Sequence, residues 1–183
     1  MLADRRQLDV EGFYADPAVG DRDARAVAEI MTKAGLWMVA HGQRSWPVPH
    51  SINAVKRRIN AGSVYLVKTE EIPETIREVE IVNAATFTLL DRDDQKWTDC
   101  PQDALIVCGL AVRPIYMHRE VGSAALRLAK IIAAERNCEY VRLDCAVDNV
   151  RLRSYFEAQG FQLLPDEVHS GRYVGARYQA PVA

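Results

Sequence analysis

Residues 104–129 read ALIVCGLAVRPIYMHREVGSAALRLA, and this stretch decides the fold of the chain. Its opening residues, up to Val112, are almost all apolar, which is typical of a strand buried on both faces of a sheet. Pro114 ends this strand, and small or apolar side chains recur at helical spacing from Val121. A buried strand that passes through a short loop into a helix indicates a mixed α/β sheet.

Upstream of this stretch, the apolar pattern predicts two helices and three strands. Apolar residues recur at helical spacing from about Asp23 to Gly42, and Ser51 has the character of an N-cap for a second, shorter helix. The strands are expected at residues 8–14, 63–69 and 81–90. The antiparallel part of the sheet is therefore expected in the first half of the chain.

Downstream, the pattern predicts one short helix among three further strands. Asn149 can cap this helix and Gly160 can end it. The strands are expected at residues 140–146, 161–165 and 172–180. Together the elements predict an α/β (α+β) fold, with a mixed central sheet of about six to seven strands and about four flanking helices, in a single domain over residues 1–183.

The composition argues against several classes of function. The chain has 183 residues, about the length of one domain, and 23 Lys and Arg against 25 Asp and Glu give a formal net charge of −2. Because this charge gives no general attraction to phosphate backbones or anionic lipids, we expect neither nucleic acid nor a membrane as a partner. The N-terminal MLADRRQLDV lacks the apolar region of a signal peptide, and we expect a cytoplasmic protein. The cysteines and histidines show no metal-ligand spacing, so no metal site is predicted.

The start of the helix at Val121 is a candidate site for an anion. The backbone N–H groups and the positive dipole end of a helix N-terminus favour a phosphate. Gly122, Ser123 and Ala124 let the backbone approach closely, and Arg119 can add a charge-assisted hydrogen bond. A helix that packs tightly on a sheet also needs small residues, so these residues alone leave both interpretations open.

Two segments carry a resemblance to a known family. Residues 110–129 resemble the acetyl-CoA signature of the GNAT acyltransferases, Q/R-x-x-G-x-G/A after a strand and a short loop. Residues 148–161, DNVRLRSYFEAQGF, resemble their second motif, N-x-x-(small/apolar)-x-x-[FY]-Y-x-x-x-G-F. Residues 141–156 are similar to one bacterial branch with LRLDC-x-x-x-N-x-x-LR, and Trp97 and Trp37 match tryptophans usual in that branch.

The resemblance implies an N-acetyltransferase that moves an acetyl group from acetyl-CoA to an amine of a small molecule or peptide. It implies direct attack by the amine in a ternary complex, with no covalent enzyme intermediate. The residues that it assigns to the cofactor are Leu110, Ala111, Val112, Met117, His118, Arg119, Glu120, Val121, Gly122, Ser123, Ala124, Asn149 and Phe156. Trp37 and Trp97 are the candidates for the acceptor pocket, and pairing of edge strands could form a homodimer.

Alternatives remain for several of these residues. Asn149 can be an N-cap alone, and large aromatic side chains such as Trp37 and Trp97 are more often packing residues. Cys108 lies on the same strand as the cofactor residues, but no His or Asp near it in sequence could activate it, which favours a buried filler.

Three positions depart from the family's pattern. The usual Gln or Arg of the loop is Met117, its first glycine is Glu120, and the tyrosine that protonates the leaving thiolate in many relatives is Phe156. Tyr155 is our candidate for this acid, although one helical step turns its side chain by about 100° and favours the core. These three departures from the family pattern predict an enzyme with slower turnover. The alternative is a GNAT-fold module that binds acyl-CoA or a partner without catalysing transfer.

Overall fold

A computed structural model of the chain describes residues 10–71, 79–91, 96–97 and 103–182. The helices are α1 (Gly20–Ala40), α2 (Ile52–Asn60), α3 (Val121–Glu135) and α4 (Val150–Ala158). The strands are β1 (Phe13–Pro17), β2 (Val64–Glu71), β3 (Glu80–Leu90), β4 (Ala104–Val112), β5 (Tyr140–Ala146), β6 (Gln162–Ser170) and β7 (Tyr173–Pro181). The predicted mixed α/β fold is confirmed in its class and in the number of its strands and helices.

The strands form one sheet in the order β1-β2-β3-β4-β5-β7-β6. Strands β1, β2 and β3 pair antiparallel in sequence order, and β7 pairs antiparallel with both β5 and β6. Residues Ala104, Leu105 and Ile106 of β4 pair in parallel with β5. A parallel pair needs a crossover connection, which contains α3 here.

Both edge strands differ from their predicted ranges. Strand β1 lies later than the predicted residues 8–14, of which 8 and 9 are outside the described residues, and it ends at Pro17. Strand β6 continues past Pro165 to Ser170, with an irregular register against β7 between Leu163 and Glu167. The prediction used both prolines as strand ends, but an edge strand tolerates a proline because one side of its backbone has no neighbour.

The described residues fall into two compact units. The first unit contains the described residues within 1–88 and 109–128, and the second contains those within 89–108 and 129–183. The core of the first unit is formed by apolar side chains of α1, α2 and β2, with Ala18 and Ala111. Trp46 packs against it and donates a hydrogen bond from Nε1 to the carbonyl of Met31 (2.9 Å). Gly35 allows this approach, because a Cβ there would lie 3.0 Å from Nε1 of Trp46 and 2.6 Å from Cγ1 of Val48.

In the second unit, the pair of β5 and β7 has two distinct faces. Leu143 lies opposite Tyr178, whose ring packs with Phe156 at a centroid distance of 6.1 Å. Asp144 lies opposite Arg177, and successive side chains of a strand point to opposite faces. The second face is therefore polar, and the ring of Trp97 covers the buried Arg177 on it.

Among the described helices, none is both long and apolar enough to cross a lipid bilayer.

Candidate functional site

Contacts within the first unit fix the loop between β4 and α3. The N–H of Arg113 donates to the carbonyl of Ala84 (2.9 Å), and its guanidinium lies 3.3 Å from the carboxylate of Glu29 on α1. Tyr116 closes a single 3₁₀ turn and is buried. Burial, followed by a hydrogen bond with Glu71, raises the pKa of Tyr116 to about 12. The loop is thus anchored to a strand and to a helix before it reaches α3.

Two residues of this loop have a left-handed backbone. His118 has a φ of 63° and Glu120 a φ of 59°. L-residues rarely adopt this conformation, which costs free energy and is concentrated at functional sites. Glu120 occupies the position at which the acetyl-CoA signature has a glycine, the residue that adopts positive φ without steric cost. The backbone therefore keeps the glycine conformation although the side chain is a glutamate.

Helix α3 begins directly after this left-handed residue. Its first hydrogen bond runs from the N–H of Ala124 to the carbonyl of Glu120 (2.8 Å). The first N–H groups of an α-helix have no acceptor inside the helix, and the dipole makes this end positive. The exposed Arg119 lies beside the helix start, with its guanidinium 5.9 Å from the ring centroid of Tyr116. These residues fit a diphosphate, because they combine the positive end of a helix, small side chains at its start and a nearby cation.

Most of the predicted cofactor residues form one continuous segment of the first unit. Leu110, Ala111 and Val112 end β4, after the three residues that pair with β5. Met117 is half-buried, whereas His118, Arg119 and Glu120 are exposed. Val121, Ser123 and Ala124 are buried and Gly122 is half-buried. The structure thus brings eleven of the thirteen predicted residues together in the segment 110–124, and the other two, Asn149 and Phe156, lie in the second unit.

Asn149 caps α4, as predicted. Its side-chain oxygen accepts a hydrogen bond from the N–H of Leu152 (3.1 Å), and its carbonyl accepts one from the N–H of Arg153 (3.0 Å). The cap uses Oδ1 and leaves the Nδ2 group as the part of the side chain that can donate to another molecule. Its assignment to the cofactor stays a prediction.

The expectation that Tyr155 points into the core is corrected by the packing of α4. Phe156 is the more buried residue, at 6% exposed, and its ring packs against Phe161 and Tyr178. Tyr155 is half-buried. The inward face of α4 contains Phe156 and Arg153, three positions apart, and Arg153 donates to the Tyr178 hydroxyl (3.1 Å). One helical step away, Tyr155 lies at the border of this face.

The two candidate acceptor residues have different surroundings. Trp37 is half-buried in the last turns of α1, and its ring stacks on that of His41 at a centroid distance of 4.0 Å. Trp97 is 1% exposed, and the guanidinium of Arg177 lies 4.1 Å from its ring centroid. The ring of Trp97 is a packing residue, but its Nε1 donates to the carboxylate of Asp144 (3.4 Å). A place in an acceptor pocket stays a prediction for both residues.

Asp144 is the polar residue that the sequence analysis missed. Its side chain is 6% exposed and lies within hydrogen-bonding distance of Lys96, Trp97 and Tyr173. The available signal was the strand YVRLDCA, in which Arg142 and Asp144 alternate with buried apolar residues. A charged side chain that is nearly buried on the other face of such a strand requires partners from elsewhere in the chain.

Comparisons with known proteins agree with this fold. The sequence profile of the Acetyltransferase (GNAT) family matches residues 42–161. The chain is 24% identical over 158 residues to the uncharacterized N-acetyltransferase YesJ of Bacillus subtilis (strain 168), covering 84% of each protein.

Solved structures show the same similarity. A GNAT-family acetyltransferase of Listeria monocytogenes 4b F2365 superposes with a TM-score of 0.71 at 19% identity, covering 92% of this chain and 94% of that one. The ribosomal-protein-S18-alanine N-acetyltransferase of Escherichia coli superposes with a TM-score of 0.60 at 14% identity, covering 93% of this chain and 94% of that one.

Proposed function

We propose that this chain, which belongs to the GNAT acetyltransferase family, transfers an acetyl group from acetyl-CoA to an amine of a small molecule or peptide. The observation that carries the proposal is the helix start at Val121, preceded by the left-handed Glu120 and accompanied by Arg119. Acetyl-CoA supplies a thioester that is already activated toward amines. The protein therefore mainly has to bind acetyl-CoA and the amine and to position them for attack.

The diphosphate of the cofactor is the group that the α3 start would hold. The N–H groups of Val121 and Gly122 are donors at the positive end of a helix of 15 residues. Arg119 adds a guanidinium that bonds phosphate oxygens in a forked geometry. We assign the pantetheine arm to the backbone of Leu110, Ala111 and Val112, which follow the part of β4 that pairs with β5. We assign an amide of the cofactor to Nδ2 of Asn149.

Direct transfer to the amine is favoured over a relay through Cys145. Burial, with a smaller contribution from the charge of Asp144, raises the pKa of the Cys145 thiol to about 11. A thiol with this pKa is almost entirely protonated near neutral pH, and the thiolate is the nucleophilic form. Cys145 is therefore a poor acyl carrier, and we propose that the amine itself attacks.

Proton delivery to the leaving thiolate is the weakest part of the machinery. Phe156 has no hydroxyl and is packed in the second unit, which leaves Tyr155 as the proposed acid. General acid catalysis contributes about 10²-fold or more, and a thiolate leaves without much help. A slow enzyme is therefore compatible with these residues. A module that binds acyl-CoA without transferring it is the second candidate, favoured by the burial of Phe156.

Two measurements on the same protein test the proposal. Calorimetry should show that CoA binds the wild type, and that Gly122→Asp weakens binding at least tenfold because it adds a negative charge beside the diphosphate. Ala54→Asp is the matched control, since it places the same charge in the first turn of α2, and its CoA affinity should equal that of the wild type.

Thiol release from acetyl-CoA across a panel of amines separates the two candidate functions. Release that depends on an amine supports the enzyme. CoA binding without release for every amine supports the binding module. Equal CoA affinity for Gly122→Asp and the wild type would place the cofactor elsewhere and contradict the proposal.

A further inference from the structure

An ammonium group is already bound on the polar face of the second unit, and it belongs to the chain itself. The Nζ of Lys96 lies 3.1 Å from Oδ2 of Asp144 and 4.6 Å from the ring centroid of Tyr173. A carboxylate and the face of an aromatic ring are the two groups that proteins use most directly to hold a primary ammonium ion. Lys96 thus shows that Asp144 and Tyr173 together can hold a primary ammonium group.

Rigid aromatic donors hold the carboxylate in position. The hydroxyl of Tyr173 donates to Oδ2 of Asp144 (2.5 Å), and Nε1 of Trp97 donates to Oδ1 (3.4 Å). Burial, followed by the hydrogen bond to Asp144, raises the pKa of Tyr173, so its hydroxyl stays a donor. The guanidinium groups of Arg177 and Arg142 lie 4.1 and 5.6 Å from the ring centroid of Trp97 and restrain the indole.

Lys96 differs from the groups around it in exposure. Its side chain is 34% exposed, whereas that of Asp144 is 6% exposed. The carboxylate and the indole of Trp97 are therefore buried, Tyr173 is half-buried, and the ammonium group reaches them from the solvent side. A lysine side chain is flexible and has four methylene groups, so it can leave without disturbing these groups.

We propose that Asp144, Tyr173 and Trp97 form a binding site for a primary ammonium group on an unbranched alkyl chain, and that Lys96 occupies this site when no ligand is bound. Lys96 therefore competes with any added ligand for this site. A ligand must displace Lys96 and then makes the same contacts, with Oδ2 of Asp144 and the ring of Tyr173.

The site also specifies a class of acceptor, and this step rests on the proposed acetyl transfer. A carboxylate favours the charged form of an amine, and an ammonium ion has no lone pair with which to attack a thioester. The group held by Asp144 is therefore a recognition group, and another amine of the same molecule receives the acetyl group. One buried carboxylate balances the charge of one ammonium group. The expected acceptor is therefore a linear diamine, with one amine held by Asp144 and the other available for transfer.

Chemical rescue of a truncated lysine tests the site without any acetyl transfer. Lys96→Ala removes three methylene groups and the ammonium, which n-propylammonium can replace. We expect the variant to unfold a few degrees below the wild type, and n-propylammonium chloride to restore the lost stability. Potassium chloride and tetramethylammonium chloride at equal ionic strength should not restore it, since neither cation has an N–H donor.

Two further variants decide whether the rescue occurs at Asp144. Lys96→Met fills the same space with an apolar chain and should show no specific effect of n-propylammonium. Lys68→Ala is the matched control, because Lys68 forms a partly buried pair with Asp16 (2.8 Å) in the first unit. An equal rescue of Lys68→Ala or of Lys96→Met, or no rescue of Lys96→Ala, would overturn the proposed site.

Steady-state kinetics then test the acceptor class. Removal of the competitor in Lys96→Ala should raise kcat/KM for 1,4-diaminobutane about tenfold. For n-butylamine kcat/KM should change little, because its one amine cannot receive the acetyl group while Asp144 holds it, and such unproductive binding lowers kcat and KM together. Equal effects on the two amines would overturn the assignment of the acceptor. Rescue by n-propylammonium in a protein that acetylates no amine would keep the ammonium site and reject the proposed function instead.

Discussion

The carbonyl of Glu120 accepts the first hydrogen bond of α3, from the N–H of Ala124 at 2.8 Å, while Glu120 itself holds a left-handed φ of 59°. The accepted hydrogen bond and the left-handed conformation are both properties of the Glu120 backbone. The side chain adds a negative charge at the end of a helix that is proposed to hold a diphosphate. Substitutions can therefore separate what the conformation contributes from what the charge contributes.

Removal of the charge at position 120 should strengthen cofactor binding. Glu120→Gln keeps the size of the side chain and removes its repulsion of phosphate, which we estimate at about 1 kcal/mol after screening, or roughly fivefold in Kd. Calorimetry of CoA at two salt concentrations measures this, and the gain should shrink as salt is raised. Weaker binding at both concentrations would instead indicate that Glu120 orients Arg119.

Glycine at the left-handed positions should stabilise the fold. Glu120→Gly and His118→Gly each relieve a positive φ and should raise the free energy of unfolding by up to about 1 kcal/mol. Urea unfolding measures the effect. Of the two variants, only Glu120→Gly should also tighten CoA binding. A loss of stability in both would mean that the added chain entropy of glycine outweighs the relieved strain.

Adjacent aromatic residues of α4 should respond in opposite ways. Tyr155→Phe removes the proposed acid and should lower kcat about 10²-fold with a small change in stability. Phe156→Tyr places a hydroxyl among buried rings and should lower the free energy of unfolding by about 1–3 kcal/mol without raising kcat. Acetyl transfer and urea unfolding on both variants measure this. A higher kcat for Phe156→Tyr at unchanged stability would assign the acid position to residue 156.

Gly35 should not tolerate a methyl group, although alanine usually stabilises a helix by about 1 kcal/mol relative to glycine. The added Cβ would meet Val48 Cγ1 at 2.6 Å and Ser45 Oγ at 2.8 Å. We expect Gly35→Ala to destabilise the protein by about 1–3 kcal/mol, measured by urea unfolding. Leu36→Ala, at a neighbouring position that is 54% exposed, should change stability much less. A stabilised Gly35→Ala would contradict the packing of Trp46 on α1.

His50 should make the protein less stable in mild acid. Burial, followed by the charge of Arg58, lowers the pKa of His50 in the folded state. The unfolded chain then binds the proton more readily, so the contribution of neutral His50 is complete above a pH of about 6.5 and is lost as the pH falls below it. Urea unfolding between neutral pH and about pH 5 should show a smaller loss for His50→Gln than for the wild type, and an equal loss would contradict this role of His50.

Sequence signals that act over a few residues predicted the helices and strands. The features that they did not predict depend on contacts between residues far apart in the sequence. The caps Ser51 and Asn149 act on residues three positions away, so the sequence shows both partners at once. Asp144 is 29 positions from Tyr173 and 48 from Lys96, and only the sheet register brings them together. Which of Tyr155 and Phe156 faces the core depends on how α4 packs against Tyr178. The apolar pattern of a helix of nine residues does not determine this packing.

The irregular edge strand β6 has a consequence for the behaviour of the protein at high concentration. Pro165 interrupts its row of N–H donors, and the neighbouring Asp166 and Glu167 are exposed. A strand from another molecule would lose hydrogen bonds at the proline and would face two carboxylates. This end of the sheet is therefore protected against templated growth into aggregates, and a homodimer of the chain would need a different surface.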